Sequence, residues 1–173
     1  MQIVNFEIIS VGKPHWENGY VYALDACKVL KEAGFLFHYL IIGASYDIEL
    51  QYQINDLELT EQITLMEQKS LEWIKDKIRY SDLYLQPSMK NGINNFVLTA
   101  IALETMVLTT SCGRVEDIIF NERTGFIVPI RNANSIAESI MKIQSLSEQN
   151  KNDIKREALE TLQQQNKENI WEM

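Results

Sequence analysis

The sequence predicts a doubly wound α/β fold, a mostly parallel sheet flanked by helices. Two observations predict it. Short, nearly continuous apolar runs recur along the 173 residues, and parallel strands buried on both faces read this way. Between these runs lie longer segments whose apolar residues fall at helical spacing. Strand and helix alternating in this manner require right-handed crossovers, and crossovers of that kind build a parallel sheet.

The strands are expected at Phe6 to Val11, Phe35 to Ile42, Ile63 to Met66, Leu83 to Leu85, Met106 to Thr109 and Gly125 to Val128. Between the first two, Tyr20, Ala23, Leu24, Cys27 and Leu30 mark one helix face. Leu50, Ile54 and Leu57 mark a second helix, and Leu71, Ile74 and Ile78 a third. Val97, Ala100 and Ile101 mark a fourth, and Ile136, Ile140 and Ile143 a fifth. From Ser145 the composition turns polar, although Ile154, Ala158, Leu159 and Leu162 still carry a helical pattern. Residues 1–145 are therefore expected to form the domain. Residues 146–173 should form a helical tail packed on or near it by a weak tether, with Trp171 left near the end.

Apolar residues make up 46% and charged residues 23%, the balance of a globular chain rather than a disordered one. The net charge is -8, and no cluster of Lys and Arg stands out, which argues against nucleic acid or an anionic membrane as a direct partner. An anionic ligand would need a local positive site. Cys27 and Cys112 have no metal-ligand spacing and read as free thiols of a reducing cytoplasm. The N-terminus lacks the basic start and apolar run of a signal peptide. The longest apolar stretch, Phe35 to Ala44, is too short to span a bilayer, so no transmembrane segment is expected.

In open parallel sheets, ligands bind beyond the carboxyl ends of the strands, which directs attention to four loops. Gly12 to Gly19 contains two glycines and Lys13, and by itself reads as an ordinary βα loop. Pro87 to Asn95 contains Gly92, where a ligand can approach the backbone, and Asn94 or Asn95 as a helix cap. The amides opening that helix would suit a phosphate, although loop shape alone does not separate this from a capped surface helix. Thr110 to Asp117 reads equally as a binding loop or a turn, and Gly43 to Asp47 as a turn capped by Ser45 or Asp47. His38 lies in an apolar strand and reads as a satisfied imidazole, while His15 sits in the first ligand-side loop beside Trp16. No nucleophilic triad, metal cluster, Walker loop or Gly-x-Gly-x-x-Gly is visible, which argues against a nucleotide hydrolase or an NAD enzyme. A flavodoxin-like signalling domain is disfavoured too, because no acidic phosphoacceptor cluster sits at the strand ends.

Several segments in order resemble the C-terminal domain of family 4 retaining glycosyltransferases, the glycosyl transferases group 1 with the GT-B fold. Ile9-Ser10-Val11-Gly12-Lys13 looks like the opening strand and its Gly-Lys step, and His15 to Tyr20 like the loop that follows. Tyr39 to Gly43 resembles the second strand with its terminal Gly, and Ser81 to Ser88 the Ala-Asp, apolar run, Pro-Ser segment. Asn91 to Ala100 looks like the segment usually written Glu-Gly-Leu-Pro, four residues, Glu-Ala. Ser111 to Asp117 and Thr124 to Pro129 resemble the next two landmarks. Each motif alone is weak, and their order and spacing together are specific. The resemblance covers about Phe6 to Ile140 and implies a Rossmann-like domain, one half of a GT-B fold.

The resemblance also implies a function. This would be the nucleotide-sugar donor domain of an enzyme that moves a sugar from a nucleoside diphosphate, UDP or GDP, to an acceptor, in polysaccharide or glycolipid biosynthesis. Lys13 keeps one of the family's phosphate-binding cations, and Asn18 replaces a Lys at the other. The paired-Glu positions hold Asn91 and Thr99, so both carboxylates are missing. A neutral amide cannot stabilise developing positive charge as a carboxylate would, and each lost charge-assisted bond costs roughly 1.5–3 kcal/mol. Asn94 stands where the family has Pro, and Glu104 where a Gly often ends the helix. The donor-binding set is thus Lys13, Asn18, Asn91, Gly92, Ile93, Asn94, Asn95, Phe96 and Thr99, with His15 and Gly113 as further contacts. No cofactor or metal is expected, since the helix terminus and Lys13 would neutralise the diphosphate. An N-terminal acceptor-binding domain is expected to be missing, which would leave this chain inactive alone. The whole enzyme would be cytoplasmic, held peripherally at the inner membrane face. The alternative is a degenerate, non-catalytic binding or interaction module on the same scaffold.

Overall fold

A computed structural model describes residues 4–171. Its six strands are β1 (Phe6–Val11), β2 (Phe37–Ile42), β3 (Ile63–Met66), β4 (Leu83–Gln86), β5 (Met106–Thr110) and β6 (Phe126–Val128). The helices are α1 (Tyr20–Glu32), α2 (Ile48–Asp56), α3 (Leu71–Arg79), α4 (Asn95–Ala102), α5 (Ala133–Ser145) and α6 (Glu148–Trp171). All strands are parallel, in the order β3-β2-β1-β4-β5-β6. The expected fold is present, with every strand in the expected segment. β2 starts at Phe37 rather than Phe35 and β6 at Phe126 rather than Gly125, because the residues before them turn out of the preceding helix or loop.

Period-two alternation feeds two cores. From β1, Phe6 and Ile8 join one cluster with α1, α2 and α5, while Ile9 and Val11 join the other with α3 and α4. Side-chain caps start α2, α3 and α4. Asp47 Oδ1 accepts from Leu50 N at 2.7 Å, Ser70 Oγ from Trp73 N at 3.3 Å and Asn94 Oδ1 from Phe96 N at 2.7 Å. Asp47 and Asn94 are thus the caps, rather than Ser45 and Asn95.

Two expectations need correction. Leu71 belongs to the helical pattern but is 54% exposed. It is the first residue of α3, next to the Ser70 cap, and the buried stripe starts a turn later at Ile74 and Ile78. The tail is bound more firmly than a weak tether. α6 buries Ile154 in the first cluster and Ala158 and Leu162 in the second, so it closes parts of both faces. Trp171 ends α6.

The order of the strands locates the ligand side. The chain runs outward from β1 through β2 to β3, then returns to pair β4 with the other side of β1. The loops leaving β1 and β4 therefore turn in opposite directions and open a crevice at their carboxyl ends, the topological switch point of such sheets.

Candidate functional site

A cavity of about 230 Å³ lies at that switch point. Glu17 and Asn18 reach it from the loop after β1, and Gln86, Ser88, Lys90, Asn91, Gly92, Ile93 and Asn94 from the end of β4 and its loop. Thr109, Cys112, Val97 and Val115 close its floor and far side.

The two principal loops are fastened to each other. A 3-10 turn, Trp16–Asn18, follows β1 and ends at Gly19, whose φ of 68° is left-handed. A Cβ at Gly19 would stand 1.9 Å from Pro87 O, so only glycine lets the loops approach this closely. Across that contact, Met89 N donates to Glu17 O at 2.7 Å and Ser88 Oγ donates to the same oxygen at 3.2 Å. The loop after β5 is tied in as well. Thr110 Oγ1 donates to Ser88 O, and Cys112 Sγ meets that oxygen at 2.9 Å. Cys112 and Cys27 are both buried free thiols.

The α4 entrance is open on the cavity side. Gly92 has φ 132°, a conformation L side chains rarely adopt, and a Cβ there would meet nothing within 4 Å. Asn94 takes the Phe96 N–H for its cap, and among the described residues no hydrogen-bond partner is seen for the N–H groups of Asn94 and Asn95. Those amides and the helix dipole favour a negative group. Lys90 adds a full charge, with Nζ 3.3 Å from Glu17 Oε2. Beneath the cavity, Tyr84 Oη donates to Gln86 Oε1 at 3.0 Å. Burial pushes the Tyr84 hydroxyl well above its usual range, with Tyr20 adding to the shift, so it stays a neutral donor that fixes Gln86.

The structure thus brings Asn18, Asn91, Gly92, Ile93 and Asn94 together. Lys13 is exposed and does not line the cavity. Its carbonyl accepts from Asn18 Nδ2 at 2.7 Å, so Asn18 braces the loop. Thr99 Oγ1 donates to Asn95 O at 2.9 Å, back into its own helix. Asn95 and Phe96 begin α4 without lining the cavity, and Gly113 packs against Asn91, whose Oδ1 would be 3.4 Å from a Cβ at Gly113. His15 lies on the opposite side of the 3-10 turn, its Nδ1 accepting from Glu17 N at 3.4 Å. His38 is satisfied, with Nδ1 3.1 Å from Glu7 Oε2 and Nε2 2.8 Å from Thr64 Oγ1.

Sequence reasoning missed Glu17, Gln86, Ser88, Lys90, Thr109 and Cys112. Lys90 and Ser88 stand in a loop already singled out, and their charge and hydroxyl beside Gly92 were the available signal. Nothing local marks Gln86 or Thr109, which read as strand residues. Among the described residues no group of three or more His, Cys, Asp or Glu is placed to hold a metal ion, and no helix is long and apolar enough to cross a membrane.

A six-stranded parallel sheet with a polar cavity at its switch point defines a Rossmann-like domain. The chain belongs to the family described as Glycosyl transferases group 1, which it matches over residues 5–161. It is 27% identical over 143 residues to the amylovoran biosynthesis glycosyltransferase AmsK of Erwinia amylovora, an alignment covering 79% of this chain and 35% of that protein. The chain therefore spans about a third of the length of this relative. Its fold matches the C-terminal domain of a glycosyl transferase group 1 family protein, LpcC of Francisella tularensis, with TM-score 0.79 and 20% identity over 94% of this chain and 87% of that one. It also matches HepE of Anabaena, solved in complex with UDP-glucose, with TM-score 0.80 and 16% identity over 98% of this chain and 49% of that one. The fold is the Rossmann-like half of a GT-B glycosyltransferase.

Proposed function

We propose that this chain is the nucleotide-sugar donor domain of a retaining glycosyltransferase of polysaccharide or glycolipid biosynthesis. The observation that carries the reading is the switch-point cavity, which Lys90, Gly92 and Asn94 at the head of α4 line together. In this reading the diphosphate rests against Gly92 and the N–H group of Asn94, and Lys90 takes the place foreseen for Lys13. As the bond between the anomeric carbon and the diphosphate breaks, negative charge grows on the leaving oxygen. The helix terminus and the Lys90 ammonium then stabilise it more than they stabilised the ground state. Asn91 offers an amide to a sugar hydroxyl, and Glu17 is the carboxylate on the cavity wall. The acceptor is held by a further domain, as the length of the relatives suggests, and the whole enzyme works in the cytoplasm at the inner membrane face.

A titration of the isolated chain with UDP-glucose and a GDP-sugar, followed by amide shifts, tests this. The expected result is displacement of the Gly92, Ile93 and Asn94 resonances by at least one donor, without sugar transfer to any acceptor by this chain alone. No response to any nucleotide favours a second reading, a degenerate binding module. That alternative draws on the resemblance, which puts Asn91 and Thr99 at the family's paired-carboxylate positions, and on one specific observation, the Thr99 hydroxyl donating into its own helix.

A further inference from the structure

Gln86 ends β4 at the floor of the switch-point cavity, paired in the sheet register with Thr109 of β5. It is only 4% exposed, although glutamine ordinarily sits at the surface. One end of its amide is taken, since Tyr84 Oη donates to Oε1 at 3.0 Å. Among the described residues the other end, Nε2, has no hydrogen-bond partner. The one side-chain nitrogen or oxygen that is both sealed off and unpartnered is Gln62 Oε1. Nε2 is therefore reached from outside, and the opening is the cavity that Gln86 lines.

The two ends of an amide have nearly the same shape, so chemistry rather than fit decides which one faces a ligand. Tyr84 and Gln86 stand two residues apart on β4 and leave the sheet on the same face. Tyr84 is completely buried in the α3–α4 core. With Oε1 turned inward the phenol proton has an acceptor. With the amide reversed it has none among the described residues, and an unmade hydrogen bond is costly in an apolar core. Burial raises the Tyr84 hydroxyl well above its usual range, so the proton stays on its oxygen. The cavity is thus offered an N–H donor of fixed direction.

The neighbouring groups say what meets that donor. Lys90 and Asn94 line the same cavity and offer N–H groups, while the Glu17 carboxylate is engaged by Lys90. A pyrophosphate, which only accepts, matches such a set, whereas a hydroxyl needs an acceptor as well. We propose that Gln86 binds the nucleoside diphosphate directly, its Nε2–H donating to a pyrophosphate oxygen at the cavity floor, and that Tyr84 is the positioning residue that turns this donor toward the ligand. The ligand's identity rests on the donor-domain reading; the direction of the amide does not.

The test is calorimetric titration of the full chain, Gln86→Met and Gln86→Leu with UDP and with inorganic pyrophosphate at millimolar concentration. Both substitutions remove the amide at similar length, so either one, folded, is sufficient. UDP and pyrophosphate should weaken by the same factor, about tenfold for one charge-assisted contact. The Gln86 side-chain NH2 resonances of the parent should move with pyrophosphate. Tyr84→Phe should weaken UDP severalfold in the parent and leave it unchanged in Gln86→Met, the coupling expected of a hydroxyl that acts only through the amide. Equal losses in both backgrounds overturn the positioning role. The contact is overturned if either Gln86 variant binds UDP as tightly as the parent, and also if UDP weakens while pyrophosphate does not or never binds. UDP binding that moves Gly92 and ignores Gln86 removes this contact and keeps the donor reading. Pyrophosphate binding that depends on Gln86, without any response to UDP-glucose or a GDP-sugar, removes the donor reading and keeps the contact. A parent chain that responds to none of these ligands overturns both.

Discussion

The ammonium group of Lys90 lies 3.3 Å from the carboxylate of Glu17, linking the loop after β4 to the turn after β1 at the cavity wall. Both side chains are partly solvated, so the pair is worth at most about 1 kcal/mol. A diphosphate would compete for the same ammonium. Lys90→Ala is expected to weaken nucleoside diphosphate binding about tenfold, the loss of one solvated charge-assisted contact. Glu17→Gln frees the ammonium and is expected to tighten binding a few-fold, roughly the value of a surface pair. Calorimetric titration of both variants with UDP checks the two signs, and a tightening by Lys90→Ala would remove Lys90 from the site.

Gly19 and Gly92 both have left-handed backbones but different surroundings. Gly92→Val should cost about 1–2 kcal/mol of backbone strain and block the diphosphate, since the new side chain enters open space at the cavity. Gly19→Ala should cost about 3–5 kcal/mol, because strain is joined by a clash with Pro87 O. Urea unfolding of the two variants orders them.

Glu104 ends α4 with φ 56°, the left-handed position that usually holds Gly. Glu104→Gly is expected to stabilise the chain by about 1 kcal/mol through relief of that strain. An unchanged or lower unfolding midpoint would show that the Glu104 side chain compensates for its backbone.

Alkali should unfold this domain early. Burial raises the Tyr20, Tyr39 and Tyr84 hydroxyls and the Cys27 thiol above their usual range, so the folded state holds protons that the unfolded state releases. Their contribution is complete below the unfolded values, about 8.5 for the thiol and 10 for tyrosine, and falls as pH rises beyond them. Stability measured by urea at successive pH values should decline above about pH 10 more steeply in the parent than in Tyr39→Phe.

Leu162→Ala tests whether α6 is integral to the fold. Leu162 joins the α3–α4 face, so the substitution should cost about 2–3 kcal/mol. A loss near zero would return α6 to the loosely held tail foreseen from its composition.

Much of the fold was legible because its signals are local. The buried runs at Ile8-Ile9 and Leu40-Ile41-Ile42 and the stripe Ala23, Leu24, Cys27 depend only on strand and helix periods, which the chain carries in every short window. A cap at Asn94 or Asn95 and the glycine at 92 were readable for the same reason, and the structure chose Asn94. Leu71 misled because periodicity does not say where a helix first meets its sheet.

What the sequence alone determined is therefore the order of elements and the two loops, Gly12 to Gly19 and Pro87 to Asn95, that the switch point sets face to face. The tertiary structure decided which side chains share the space between them. It put Lys90 and Glu17 on the wall, left Lys13 outside, turned Thr99 into its helix and seated α6 on both cores. The reason is that a side chain's place in a cavity depends on the approach of segments some 70 residues apart, here fixed by Gly19 against Pro87 and by Glu17 O with Ser88 and Met89, and no local pattern encodes that distance.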